Sequence, residues 1–444
     1  MQENNGLKQR FAAWARSEQG AVLLLVLAAF LLRAAYAWAA GAIPPWNDMA
    51  EWDKARLGIL NGQPYTANWT PLYPALLAGV SRLFGAGYYP LYLFNSLLVA
   101  LAGLFTYLAA REIFGRRTAL LALALSVLYA DTVWYSSLLL AENLGIFLVA
   151  LLTWRFVKDG SPWANGFLFG LTCLAKGLFL ALLPGFLVWT WLRDRNGPWL
   201  RRAAIFTGMA LLTLLPWGVR NTLVYKAPVL LEPHWASAVL VGHNPYATGG
   251  CDYYFLDHDY GKFYFDESLS PVEKNRVFLA KALEFMRDNP LKELKLTVLR
   301  ASKHLTFATS FVFYGAEYPA RKFLFAAAAL QHMLLFPLCA FGMAFAFRDR
   351  GAFGPAMIVA ILAVVFITLF SANTRMRLPL VPAMLLLASH GALLLPGLLA
   401  RIKAGETAGI RGPLAAGTIA SLLLFANFAY QVLTRLGDVA GRFN

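Results

Sequence analysis

The run AVLLLVLAAFLLRAAYAWAA, Ala21–Ala40, followed by Gly41-Ala-Ile-Pro-Pro-Trp-Asn-Asp48, decides the fold class. It is apolar over the ~20 residues that a helix needs to cross a bilayer. It is long for a signal peptide, lacks a clear small-residue cleavage site, and precedes many similar runs, so it reads as an uncleaved first helix. The polar, basic residues before it (Lys8, Arg10, Arg16) are expected in the cytoplasm. The whole chain has the same character: of 444 residues, 59% are hydrophobic and 14% are charged. A soluble domain carries about 25% charged residues. A soluble enzyme, a disordered chain, a disulfide scaffold and a coiled coil are therefore excluded. Trp (13) and Tyr (18) suit the two membrane interfaces.

The net charge of +15 does not indicate nucleic acid. The basic residues sit in short clusters between apolar runs, as the positive-inside rule places them. The clusters are Arg111, Arg116 and Arg117; Arg155 and Lys158; Arg193, Arg195, Arg201 and Arg202; Arg348 and Arg350; and Arg401, Lys403 and Arg411. Placing them all inside predicts an all-α polytopic membrane protein of about eleven transmembrane helices with its C-terminus outside. The expected spans are 20–40, 88–110, 118–132, 137–156, 163–178, 179–193, 203–219, 323–347, 353–371, 377–397 and 413–433. The chain reads as one domain, 1–444, with two large outside loops, 41–87 and 220–322. No internal repeat supports an inverted-repeat transporter, and no Gly-x-x-x-x-Gly-Lys-Ser/Thr run supports an ATP-driven machine. Cys173 and Cys339 fall inside spans as small core residues, and Cys251 lies in a polar loop, so neither a disulfide framework nor a zinc site is expected.

The first outside loop carries the strongest chemical signal. Residues 48–60 read as an amphipathic surface helix with Met49, Trp52, Leu57, Ile59 and Leu60 on its apolar side, ended by Asn61-Gly62 and Pro64. Trp69-Thr-Pro-Leu-Tyr73-Pro-Ala-Leu-Leu then returns the chain to the membrane. Asp48 stands at the membrane surface directly after the first span. Two readings fit it: a helix cap, since Asp48-x-x-Glu51 has capping-box spacing, or a carboxylate at the lip of a cavity between helices.

Further motifs follow in order: Leu140-Ala-Glu142-Asn-Leu, Gly166-Phe-Leu-Phe-Gly-Leu-Thr-Cys-Leu-Ala-Lys176-Gly, Leu215-Pro-Trp-Gly-Val-Arg220-Asn221 and Arg375-Met-Arg377-Leu-Pro-Leu-Val-Pro. With the Asp48 loop, this ordered set over roughly residues 20–400 resembles the protein O-mannosyltransferase and aminoarabinose transferase group, within the multi-spanning GT-C class of glycosyltransferases. Ala175 stands where that group commonly has Thr. The chain lacks the large soluble C-terminal domain of some members and the inserted luminal domain of the eukaryotic O-mannosyltransferases, which bears on the acceptor more than on the chemistry. The resemblance implies a GT-C-like fold, periplasmic surface helices over the site, and a polyprenyl-phosphate sugar as donor.

Such a donor needs a greasy groove for its tail, cations for its phosphate and a base for the acceptor hydroxyl. The displacement takes place at a sugar carbon and needs one base, unlike the two-carboxylate hydrolase scheme. The resemblance assigns Asp48 as that base. Asp131 is the second catalytic candidate, orienting the acceptor or lying near a metal; otherwise it is a turn residue of Tyr-Ala-Asp-Thr. Glu142, an ionisable group within a span, is a functional candidate by default or else a hydrogen-bonded buried polar residue. Arg375 and Arg377 sit in an outside turn against the charge rule and suit the paired oxygens of a phosphate, or else lipid headgroups. Residues i and i+2 diverge on a helix, so only one of the two is expected to point into the site. Lys176, Arg220, Asn221, Glu51 and Tyr73 complete the substrate-binding candidates; for Arg220 a helix C-terminal cation is the plain alternative.

The second loop contains Val241-Gly-His-Asn-Pro-Tyr-Ala-Thr-Gly-Gly-Cys-Asp-Tyr-Tyr, rich in turn formers and aromatics, and is expected to carry sugar or acceptor contacts. Asp252, Asp257, His258 and Asp259 show no metal-ligand spacing, and His234 and His243 read as turn or interface residues. Residues 271–300 form one or two amphipathic helices, broken at Asp288-Asn-Pro. Asn68-Trp69-Thr70 matches a glycosylation sequon, which counts little in a chain whose composition reads as bacterial.

The reading is an inverting glycosyltransferase of a bacterial inner membrane, N-terminus cytoplasmic and active site facing the periplasm. It would move one sugar from a polyprenyl phosphate to lipid A, another glycolipid, a glycan or a protein. Membrane lipids are its other partners, nucleic acid is not a partner, no cofactor is required, and a divalent cation is left open. The alternatives are a transporter or flippase of a lipid-linked sugar, which needs no base at Asp48, and a receptor or assembly protein without a reaction.

Overall fold

A computed structural model describes residues 17–65, 69–307, 320–349 and 351–441. The basic residues Lys8, Arg10 and Arg16, the sequon's Asn68, and Arg350 lie outside the described residues. The described chain is all-helical, as the sequence predicts; its one β-type contact is an isolated parallel bridge between Gly250 and Ala372.

The helices are α1 Glu18–Ala40, α2 Asp48–Leu60, α3 Leu72–Phe84, α4 Tyr88–Phe114, α5 Arg116–Leu128, α6 Ala130–Tyr135, α7 Glu142–Val157, α8 Pro162–Ala175, α9 Leu183–Arg193 and α10 Trp199–Tyr225. Then come α11 Ala236–Gly242, α12 Asp259–Tyr264, α13 Pro271–Asp288, α14 Pro290–His304, α15 Arg321–Ala346, α16 Phe353–Leu369, α17 Val381–Lys403 and α18 Arg411–Gly441. Short 3-10 turns, Gly177–Leu182 and Thr374–Leu380, lead into α9 and α17.

This is a multi-pass membrane protein. Among the described residues, six helices are long and apolar enough to cross a bilayer: α1, α4, α10, α15, Thr374–Lys403 and Arg411–Thr434. The other five expected spans are shorter. Residues 118–132 divide into α5 and α6, 179–193 begin with a 3-10 turn, and α7, α8 and α16 have 16, 14 and 17 residues. Much of α7 is buried by protein, so its length need not match the lipid. The apolar helix α3 lies inside the first loop as Tyr73-Pro-Ala-Leu-Leu returns the chain.

Small residues set the closest helix crossings, as they do where lipid provides no hydrophobic drive for helix association. Gly166 and Gly170 on α8 meet α10. A Cβ on Gly170 would stand 2.5 Å from Thr213 Cβ and 3.0 Å from the Ala210 carbonyl. Gly342 on α15 and Gly391 on α17 press on each other's backbones in the same way.

One end of the bundle is basic. Glu18 accepts from Arg111 at 2.8 Å, Lys158 pairs with Glu112 at 3.4 Å, and Arg202 pairs with Asp159. The start of α1 and of α10, the α4–α5 junction and the α7–α8 junction therefore share this end. At the opposite end the first and second loops come together over the starts of α7 and of the 374–380 turn. There α13 begins with a capping box: the Ser270 hydroxyl accepts from the Glu273 amide at 3.3 Å and the Glu273 carboxylate accepts from the Ser270 amide at 2.8 Å. Asn289-Pro290 breaks it from α14, at the Asp288-Asn-Pro signal.

Candidate active site

The chain leaves α1 through Gly41 and reaches Asn47, a non-glycine residue at φ 47° and ψ −128°. Such a backbone costs about 1–3 kcal/mol and persists only when its surroundings enforce it. Asn47, not Asp48, is the N-cap of α2, and its side chain makes no capping hydrogen bond. The capping-box reading of Asp48 and Glu51 therefore fails. Asp48 is the first helical residue, Glu51 points to solvent, and the Asp48 carboxylate turns to the 374–380 turn.

Asp48 Oδ2 accepts from Arg375 Nη2 at 2.5 Å. Arg375 Nε lies 3.0 Å from Glu142 Oε1, and the same oxygen accepts from Lys176 Nζ at 2.6 Å. Two cations thus share one carboxylate. Glu142 is 3% exposed, whereas Asp48 is 34%, Arg375 22% and Lys176 20% exposed. The sequence folds to this point for local reasons. Glu142 opens α7, where a carboxylate meets free backbone amides. Lys176 ends α8 in extended backbone, and Arg375 starts a turn whose N-cap, Asn373, accepts from the Arg375 amide at 3.0 Å.

Asp131 and Arg377 form a second, separate cluster. Asp131 Oδ2 lies 3.1 Å from His332 Nε2 and 3.6 Å from Arg377 Nη2. Tyr129 Oη is 3.0 Å from His332 Nε2, and the Phe307 carbonyl is 3.0 Å from Nδ1. Arg377 also donates to the Thr306 carbonyl at 2.6 Å and lies over the Phe336 ring. All of these side chains are buried. Arg375 and Arg377 diverge, as their spacing predicts, and Arg375 is the one beside Asp48.

Arg220, Asn221 and Tyr73 bond to other parts of the protein. Arg220 donates to the Tyr65 carbonyl and to Asn221 Oδ1 and lies over the Trp217 ring, fixing the middle of the first loop against α10. Asn221, with Trp217, donates to the Leu231 carbonyl at 3.0 Å. Tyr73 is fully buried against Trp52 and donates to Asn95 at 3.2 Å. The inner face of α2 also differs from the predicted one. It is Met49, Trp52 and Ala55 with a buried Asp53–Arg56 pair at 2.6 Å, while Leu57 is exposed. Tyr88 and Ser81 complete the hydrogen bonds of that pair, which is why α2 buries charges on its apolar side.

Sequence reasoning missed Glu232. It accepts from the Gly177 amide at 3.2 Å beside Lys176, and burial raises its carboxyl above the ordinary value, opposed by that hydrogen bond and by the lysine. Its signal was a lone carboxylate in the otherwise apolar Val229-Leu-Leu-Glu-Pro stretch. His234 packs edge-on against Trp69 at 4.8 Å; burial lowers its imidazole pKa while the Asp48 charge opposes the shift. Tyr264 is raised first by burial and then by Asp48, so the second loop reaches the same carboxylate. The Gly250–Ala372 bridge and a 3.0 Å hydrogen bond from the Ala372 amide to the Gly249 carbonyl join that loop to the approach to Arg375.

Comparison with known proteins bears on the fold. The family model described as dolichyl-phosphate-mannose-protein mannosyltransferase matches residues 68–218. No curated protein sequence matches the chain. Among solved structures, ArnT from Cupriavidus metallidurans bound to undecaprenyl phosphate is similar with a TM-score of 0.51 at 15% identity, over 96% of this chain and 74% of that one. The archaeal oligosaccharyltransferase AglB from Archaeoglobus fulgidus, in complex with an inhibitory peptide and a dolichol-phosphate, is similar with a TM-score of 0.52 at 17% identity, over 96% of this chain and 56% of that one. The same oligosaccharyltransferase with zinc and sulfate gives 0.51 at 14% identity, over 90% and 52%. The chain spans about half the length of these oligosaccharyltransferase structures. The fold is the GT-C fold, and the resemblance drawn from the sequence motifs stands.

Among the described residues, no group of three or more His, Cys, Asp or Glu side chains converges to hold a metal ion. Asp48 and Glu142 are paired with cations.

Proposed function

We propose that this chain is an inverting glycosyltransferase that transfers a monosaccharide from a polyprenyl-phosphate donor to an acceptor at the outer face of a bacterial inner membrane, with its N-terminus in the cytoplasm. The observation that carries the proposal is the convergence of Asp48, Arg375 and Lys176 around the buried Glu142. The partly open carboxylate of Asp48 pairs with Arg375, and Arg375 and Lys176 share Glu142, at the end of an apolar bundle.

The chemistry follows from the residues. Asp48 takes the proton of the acceptor hydroxyl as its oxygen attacks the anomeric carbon. The bond from that carbon to the phosphate oxygen breaks, and polyprenyl phosphate leaves with its new negative charge facing Arg375 and Lys176. Glu142 does not face the phosphate: a buried carboxylate repels an anion, and its part is to hold the two cations in place. Trp69 packs edge-on against His234, and the Asp48 charge acts on both His234 and Tyr264; aromatic faces of this kind suit a sugar ring. The acceptor, whether lipid A, another glycolipid, a glycan or a protein, enters from the second-loop side. ArnT with undecaprenyl phosphate and AglB with dolichol-phosphate share this fold, which supports a lipid-phosphate donor.

The test is transfer of radiolabel. Purified protein in lipid nanodiscs receives a panel of labelled polyprenyl-phosphate monosaccharides with envelope glycolipids and proteins. Wild type moves label to an acceptor, and Asp48→Asn moves it at least ~100-fold more slowly, the scale of a lost general base. Label that binds but never leaves the carrier would replace this reading with lipid-linked sugar transport. Full activity of Asp48→Asn would remove Asp48 as the base.

A further inference from the structure

In this structure the proposed base is not free. Asp48 Oδ2 is held by Arg375 Nη2 at 2.5 Å, on the guanidinium that the phosphate needs. The two carboxylates on Arg375 differ in one decisive respect. Glu142 is 3% exposed and shares its Oε1 with Lys176, so it cannot leave without stranding two cations in a buried place. Asp48 is 34% exposed and stands on the first turn of a surface helix. An anion arriving at Arg375 therefore displaces Asp48 and leaves Glu142.

We infer that donor binding unmasks the base: the donor phosphate exchanges for Asp48 on Arg375, and Asp48 becomes able to accept a proton only when the donor is seated. The inference rests on the functional reading above. The exchange is balanced in charge, because one monoanionic phosphodiester replaces one carboxylate while Glu142 and Lys176 stay. Asp48 released from the guanidinium has its Oδ2 free to meet the acceptor hydroxyl. After transfer Asp48 carries the proton. Loss of that proton to solvent lets it return to Arg375, where it competes with the departing polyprenyl phosphate and favours product release. Glu142 is the positioning residue of this device: it fixes the place of Arg375 through both states.

The experiment is equilibrium binding of radiolabelled undecaprenyl phosphate to the full chain in nanodiscs, without acceptor. The proteins are wild type, Asp48→Asn, Asp48→Ser and Arg375→Ala, each checked for a monodisperse folded state. Exchange predicts that both neutral replacements of Asp48 bind undecaprenyl phosphate about 5-fold more tightly than wild type, since the competing carboxylate is gone; this corresponds to an ion pair of about 1 kcal/mol. It also predicts that Arg375→Ala binds more weakly. The tightening must occur in the same variants that lose transfer, an opposition that mere damage to the site does not produce. The Ser variant keeps the test open if the Asn variant fails to fold. Unchanged or weaker binding in the Asp48 variants, with weaker binding in Arg375→Ala, would overturn the exchange and leave the phosphate assignment standing. Wild-type affinity in Arg375→Ala would overturn both.

Discussion

Removing the charge of Glu142 tests whether one carboxylate organises the site. Its Oε1 lies 2.6 Å from Lys176 Nζ and 3.0 Å from Arg375 Nε, and the residue is 3% exposed. At an effective dielectric of about 20, a pair at the Lys176 distance has a gross attraction of about 6 kcal/mol, much of it offset by the desolvation of both groups. Glu142→Gln removes both attractions and leaves two cations facing each other across a neutral amide. We expect a loss of about 3–5 kcal/mol, the range for breaking a buried pair by removing one partner. Lys176→Met should be milder, because Glu142 keeps Arg375. The double variant Glu142→Gln/Lys176→Met should be more stable than Glu142→Gln alone, because Arg375 then keeps Asp48 and meets no second cation. The assay is equilibrium unfolding of each protein by SDS in mixed micelles, read by tryptophan fluorescence, as a double-mutant cycle. Additive losses, with the double variant the least stable, would refute the shared-carboxylate account.

Gly170→Val should destabilise by about 1–3 kcal/mol or more in the same unfolding assay, because its new Cβ stands 2.5 Å from Thr213 Cβ across the α8–α10 contact. A neutral Gly170→Val would mean that the two helices part freely. Asn47→Gly should stabilise by up to about 1 kcal/mol, since glycine adopts φ 47° without strain, and a clear loss instead would show that the Asn47 side chain does more than turn the chain. Glu232 has a folded pKa above its unfolded 4.5, so its contribution is fully present below 4.5 and is lost as pH rises through the folded value. Wild-type stability in bicelles should thus fall over that rise more than that of Glu232→Gln; parallel pH profiles would show that Glu232 is ionised in the fold. His234 has the opposite sign: its folded pKa lies below 6.5, so its contribution is present above 6.5 and is lost as pH falls through the lowered value.

The helical architecture was legible because its determinants are local. Hydropathy and basic clusters are read along the chain, and the end of α2 before Asn61-Gly62 and the α13–α14 break at Asn289-Pro290 follow from turn residues. The lengths of the short helices were less legible, because burial by other helices removes the bilayer constraint that the spans were read with. Candidate residues were legible by type and less so by neighbourhood. Arg220 and Asn221 have the right chemistry for a substrate, but their donors go to the carbonyls of Tyr65 and Leu231. No local pattern reveals that a carbonyl 155 residues away is waiting. Glu232 was missed for the same reason: its meaning depends on Lys176 and Gly177, which arrive from another helix.

The two acidic clusters explain each other through the 374–380 turn. Arg377 is 6% exposed and is tied to Asp131 and to the Thr306 carbonyl, so one side of the turn is fixed to α6 and to the end of the second loop. His332, reaching in from α15, adds a third element to that anchor. Two residues earlier on the same turn, Arg375 faces the other way, toward α2 and α7. Under the proposed exchange, an arginine that gives up one carboxylate for a phosphate needs a backbone that does not follow its side chain. Asp131 and Arg377 supply that fixed backbone, although they lie outside the Asp48 cluster. Asp131→Asn should therefore weaken undecaprenyl-phosphate binding and transfer together, through loss of the turn's position, and should leave the Asp48→Asn tightening smaller than in the wild-type background. If Asp131→Asn slows transfer while binding and that tightening stay as they were, Asp131 acts on the acceptor directly and the anchoring argument fails.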